Sequence, residues 1–112
     1  MNFDETGEFS KDFKRLSKKY KSLADDLLEF KKVVLKFPPG TGKHFVVLIE
    51  KETVKIIKGH LFCRYLKGSS LRIIYAYCEN KQKLEFIQLY FKCGKENEDH
   101  NRIKNYLRNF KQ

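Results

Sequence analysis

Close pairs of cysteine are missing from this sequence: Cys63, Cys78 and Cys93 are odd in number and widely spaced. That pattern argues against a disulfide framework and lacks the C-x-x-C spacing usual for a structural zinc site. A reducing, cytoplasmic setting is the expectation, with Cys63 and Cys78 behaving as small apolar residues inside strands. Long apolar runs are missing too. The longest, FVVLI at 45–49, is far too short to span a bilayer, and the opening MNFDETGEF is acidic with no apolar centre, so it does not read as a signal peptide. Repeats, low-complexity tracts and interdomain linkers are absent, and 112 residues suffice for a single domain, 1–112, with one modest core. Acidic residues are the scarcer charge, with 14 Asp and Glu against 24 Lys and Arg for a net charge of +10. Such a balance favours a polyanionic partner: nucleic acid, the ribosome, a membrane surface or an acidic protein.

What is present concentrates between His60 and Lys92. Three apolar runs, Leu61 to Leu66, Leu71 to Cys78 and Leu84 to Phe91, are separated by KGSS and ENKQK. Short runs rich in Ile, Tyr, Phe and Leu between polar clusters read as strands joined by tight turns, here an antiparallel meander. Arg64 and Arg72 interrupt these runs and Lys92 closes the last one. With a period of two, Arg72 shares a face with Ile74 and Ala76, and Arg64 shares one with Phe62 and Leu66. A single arginine in such a place is most often a solvated charge on an exposed face. Two on adjacent strands, both turned away from the covering helices, would make a cationic cluster. Residues 61–95 carry seven basic and two acidic residues, a net of +5, whereas 1–36 carry nine and seven, a net of +2. The binding surface is therefore expected on the meander rather than on the helices.

Before the meander the period is helical. Phe9, Phe13, Leu16 and Tyr20 stack on one face, and Leu23, Leu27, Phe30 and Val34 continue the stripe after a restart at Ser22, with Asp25 placed as in a capping box. The two helices are expected to form an antiparallel hairpin ended by Pro38, Pro39 and Gly40. PPGTGKH resembles part of a phosphate-binding loop but has Phe37 and His44 where that motif needs a glycine and a hydroxyl, so it reads as a turn. HFVVLIE and TVKII are two further strands or one broken strand, and Phe3 marks a possible short edge strand. A final helix carries Ile103, Tyr106, Leu107 and Phe110 inward, with Asn97 or Asp99 as its cap. The expected class is α+β: an antiparallel sheet of about four strands, the helical hairpin on one face, and a terminal helix.

The order of these pieces resembles the RelE/ParE superfamily of type II toxins, closest to its RelE-like and HigB-like messenger RNA interferases. The residues that carry the resemblance are the two-helix lead-in EFSKDFKRLSKKYKSLADDLLEF, the Pro-Gly break, GSSLRIIYAY, and LEFIQLYFK with Tyr90 and Lys92. The resemblance implies a cytoplasmic toxin that cleaves messenger RNA on the ribosome without metal or cofactor and is silenced by an acidic antitoxin, as a monomer or in a toxin–antitoxin hetero-oligomer, with no membrane partner. It places Arg72 at the phosphate, Arg64 and Lys92 as further catalytic cations, and Tyr90 or His100 in proton transfer. Lys55, Lys58, Lys67 and Lys95 would contact RNA phosphates. Phe62 stands where relatives often carry another basic residue. Two other classes remain open: a ParE-like toxin acting on DNA gyrase, and a non-catalytic RNA- or ribosome-binding module using the same cations for phosphate contacts.

Overall fold

The computed structural model describes residues 1–40, 42–67, 70–92 and 97–110. The elements run β1 (Asn2–Glu5), α1 (Gly7–Lys19), α2 (Leu23–Lys36), β2 (Phe45–Glu50), β3 (Lys55–Phe62), a 3-10 turn (Arg64–Leu66), β4 (Ser70–Cys78), β5 (Lys83–Phe91) and α3 (His100–Asn109). One sheet has the strand order β1-β5-β4-β3-β2. It is larger than the expected four strands and not purely antiparallel, because β1 joins the edge of β5 in parallel while β2 to β5 run antiparallel. HFVVLIE and TVKII fall in two strands, β2 and β3, and the second is longer than expected: the lysine and isoleucines of TVKII open β3, which runs on through His60 to Phe62.

The local chemistry explains the helix limits. The Thr6 hydroxyl accepts from the Phe9 N–H at 3.1 Å and starts α1, satisfying an amide that has no partner within the helix. The helix ends in Lys18 and Lys19, which suit the negative end of its dipole. The Ser22–Asp25 capping box does not form. The Ser22 hydroxyl instead donates to Asp26 at 2.6 Å and accepts from the Tyr65 N–H at 3.1 Å, so the residue that starts α2 also ties down the 3-10 turn. Asp99 is the α3 cap, accepting from the Arg102 N–H at 3.0 Å.

Both faces of the sheet are covered, unequally. Phe9, Leu16, Leu23, Leu27, Phe30 and Val34 of α1 and α2 pack on Ile57, Ile73, Tyr75, Leu84 and Phe86. On the opposite face α3 covers only one end, placing Ile103, Tyr106, Leu107 and Phe110 over Ile56, Ile74, Ala76 and Ile87. Gly59 of β3 is where Phe45 and Phe30 come close, and a Cβ there would meet their rings at 3.1 and 3.4 Å.

An irregularity in β5 decides which of its side chains reach the α3 face. Between β4 and β5 the register steps from Tyr75↔Phe86 to Ile74↔Gln88, so Ile87 is an extra residue in β5. Phe86 faces α1 and α2, and unbroken alternation would put Gln88 and Tyr90 on that same face. The bulge shifts the alternation by one and brings Tyr90 to the α3 face instead. Its backbone is held from outside the sheet. The Ile87 carbonyl accepts from Arg102 Nη1 at 3.0 Å and Thr6 Oγ1 at 3.4 Å, while Asp12 accepts from the Leu89 N–H at 3.0 Å and from Arg102 Nη1 at 2.7 Å.

Candidate active site

On the α3 face three adjacent strands carry His60, Arg72 and Tyr90 in one row, since His60 pairs with Arg72 and Arg72 with Tyr90, and the row starts at Tyr90, at the margin of the cluster that α3 covers. Cross-strand neighbours of this kind hold their Cβ atoms about 5 Å apart. Lys58 lies one step inward, paired with Ile74. Lys92 lies just beyond β5 and is exposed. Arg72 is half-buried, and its Nη1 donates to the Ser70 hydroxyl at 2.8 Å and the Ser70 carbonyl at 3.3 Å. No carboxylate among the described residues pairs with it. A guanidinium oriented by its own strand, with no counter-ion among the described residues, is suited to an external anion.

Tyr90 is only 2% exposed, and its phenol donates to Glu98 Oε1 at 3.2 Å. The same oxygen accepts from Lys58 Nζ at 3.1 Å. Burial alone would raise the Glu98 carboxyl, but the Lys58 hydrogen bond and charge, its own backbone N–H and the Tyr90 phenol outweigh burial and hold it below the usual carboxylate range. Tyr90 therefore forms the floor of the cluster and Glu98 anchors Lys58.

The sequence reading missed His60. Its Nδ1 lies 3.2 Å from Nδ1 of His44. Its pKa is lowered from 6.5, first by burial and then by Arg72, His44, Lys58 and Lys92. Burial first, and then the three cations around the imidazole, keep it neutral at pH 7 and able to accept a proton. A signal was present, because Lys58, His60 and Phe62 alternate along one strand, but His60 becomes informative only once its pairing with Arg72 is known. His60 also borders a cavity of about 240 Å³ beside α2, with Phe30, Val33 and Phe62 in its lining.

Other expected site residues lie apart. Arg64 is not in a strand. It is exposed on the 3-10 turn and pairs with Asp25 at 3.3 Å and Asp26 at 3.4 Å, drawn to α2 by the buried Asp26. Lys55 is at the other end of β3, opposite Tyr77 and 3.8 Å from Glu50. Lys67 is exposed at the end of the 3-10 turn with φ 45°. His100 is the exposed first residue of α3, with no hydrogen bond to the cluster among the described residues. Lys95 and Cys93 lie outside the described residues. Among the described residues no group of three or more His, Cys, Asp or Glu is placed to hold a metal ion, and the cations around the His44–His60 pair would repel one.

No protein-family model matches the chain, and no curated protein sequence matches it significantly. Among solved structures it is similar to a chain in the archaeal RelE–RelB complex from Pyrococcus horikoshii OT3, with a TM-score of 0.63 over 85% of this chain and 97% of that one. The fold is RelE-like. At 17% identity the likeness speaks for the architecture, and the chemistry of this RelE-like chain rests on its own side chains.

Proposed function

We propose that this RelE-like protein is the toxin of a type II toxin–antitoxin system and cleaves messenger RNA on the ribosome. The observation that carries the reading is the row His60–Arg72–Tyr90 flanked by Lys58 and Lys92, which sets a neutral imidazole beside a guanidinium that pairs with no carboxylate among the described residues. In the reaction a ribose 2′-hydroxyl loses its proton, its oxygen bonds to the adjacent phosphorus, and the bond to the 5′-oxygen breaks. Negative charge grows on the phosphate oxygens in the transition state, where Arg72 and Lys92 are most effective. His60 takes the 2′-hydroxyl proton. Each of these roles belongs to a residue of the chain itself. The RelE neighbour was crystallised with RelB, and a corresponding acidic antitoxin is the proposed partner, attracted by the net charge of +10.

The test is single-turnover cleavage on programmed ribosomes beside ribosome pelleting at fixed salt. Arg72→Ala should remove about 2–4 kcal/mol of transition-state stabilisation, roughly thirty- to a thousandfold in rate. Arg72→Lys, which keeps charge but loses the planar fork, should recover part of it. Pelleting should change far less, because affinity is spread over many phosphate contacts. A loss of binding that accounts for the whole loss of cleavage would make Arg72 an anchor and leave an RNA-binding module.

A further inference from the structure

The cluster contains a second imidazole, His44, that neither meets the phosphate nor takes a proton in the proposed cleavage. We propose that His44 is a positioning residue, fixing the tautomer and ring orientation of His60 so that Nε2 of His60 is the atom that takes the 2′-hydroxyl proton. This rests on reading the cluster as a ribonuclease site.

A neutral imidazole has one N–H and one lone pair. Two Nδ1 atoms 3.2 Å apart must be one donor and one acceptor, because two N–H groups face to face would repel and two lone pairs would make no bond. With Nδ1 of His60 engaged by His44, Nε2 is its remaining nitrogen. Arg72, Lys58 and Lys92 act on this ring, and positive surroundings favour a lone pair over an N–H on the nitrogen that is left. His60 is therefore the donor through Nδ1 and His44 the acceptor. His44 is itself held: its carbonyl accepts from the His60 N–H at 3.0 Å, and its ring meets Phe62 edge-on with centroids 5.0 Å apart. These contacts join the residue just before β2 to the end of β3, past the last ladder pair of the two strands, Phe45↔Gly59.

In the reaction the 2′-hydroxyl proton moves to His60 Nε2 as the 2′-oxygen–phosphorus bond forms. The bond to the 5′-oxygen breaks, and that oxygen leaves with the electron pair and takes a proton from water. His60, now an imidazolium, still donates its Nδ1–H to the lone pair of His44, which shares the positive charge. Without His44 the ring can rotate or settle in the other tautomer, with an N–H where the lone pair is needed. The charged groups around the pair are Arg72 on β4, Lys58 on β3, Lys92 past β5, and Asp26 and Glu29 of α2 across the cavity.

The experiment uses the full chain. His44→Phe keeps a ring but no acceptor, whereas His44→Asn offers a side-chain oxygen near the place of Nδ1. His44→Phe should slow single-turnover cleavage by about ten- to a hundredfold and displace the acidic limb of its pH profile, with ribosome pelleting unchanged, and His44→Asn should recover most of the rate. Nitrogen-15 NMR of the imidazoles at pH 8 should show His60 protonated at Nδ1 in the wild type and in His44→Asn. A wild-type rate and profile in His44→Phe, or His60 protonated at Nε2 in the wild type, would overturn the proposal. If His44→Phe fails to fold, His44→Asn and the wild-type spectrum still decide it. A wild type that shows the Nδ1–H tautomer yet cleaves nothing would support the positioning while removing the ribonuclease reading, so the two failures are distinct.

Discussion

Two arginines that look equivalent in sequence have different fates. Arg72 is aimed by Ser70 and keeps its charge available, whereas Arg64 spends its charge on Asp25 and the buried Asp26. Arg64→Ala should change single-turnover cleavage by less than about threefold and cost less than about 1 kcal/mol in a denaturant titration, because the arginine is largely exposed. His60 gives a pH signature. Its neutral form is the base and its pKa lies below 6.5, so cleavage should be on a plateau at pH 7 and fall as pH drops through the folded value. Stability runs the same way: between that value and 6.5 the unfolded chain binds a proton that the folded chain refuses, so stability rises with pH across that window. His60→Gln should abolish the acidic limb of the rate profile. The run LFCRYL met every compositional test for a strand, and nothing in it announces that Ser22, forty-three residues away, holds the Tyr65 amide and turns the chain at Cys63.

The helices were legible because their apolar periods are long and regular, and β4 and β5 because their runs are bounded by turn residues. The bulge in β5 also had a trace in the sequence. Leu84 and Phe86 keep a period of two, and Leu89 and Phe91 resume it one residue late. That slip is readable as a bulge only when the partner strand is known. Its function is to aim side chains, and the brace from α1 and α3 maintains it. Asp12→Ala leaves the Leu89 N–H without its acceptor and takes from Arg102, 15% exposed at its side chain, its shortest ion pair, so that the Ile87 carbonyl and Glu8 are left to hold it. It should cost about 3 kcal/mol in urea unfolding. Cleavage by the folded fraction should also fall, since Tyr90, Glu98 and hence Lys58 depend on the bulge, whereas Asp12→Asn, which retains an acceptor for the amide, should lose less of both. An Asp12→Ala protein that is destabilised yet fully active would separate the brace from the site.

At the scale of the molecule, Arg72 and Lys92 of the basic stretch 61–95 stand beside Lys58 and His60 on the sheet, while Arg64 of the same stretch is drawn to α2 and Lys83 to Asp4 and Glu85. Binding that depends on several phosphates releases counterions. With Arg72 and Lys92 in contact and Lys58 paired with Glu98, the association constant for single-stranded RNA should fall with salt along a log–log slope of about −1.4, and Lys92→Ala should reduce the slope by about 0.7. Filter binding across roughly 50–200 mM salt checks this, and a slope near zero would remove the polyanion from the account.

The parallel pairing of β1 with β5 also dictates an order of events in time. Asn2 pairs with Lys83 and Glu5 with Phe86, so the first strand of the sheet to be synthesised waits for the last. Closing a loop of some eighty residues costs about 2 kcal/mol more than closing one of ten, and non-local pairings of this kind are slow to form. The β3–β4–β5 meander, whose partners are near in sequence, is expected to assemble first, with the β5 edge at Leu84–Phe86 open until β1 arrives. Pulse-labelled hydrogen exchange during refolding should find the amides of β4 protected before those of β1. Thr6 and Asp12 follow directly behind β1, so the bulge, and with it the aim of Tyr90, would be completed only at this closing step.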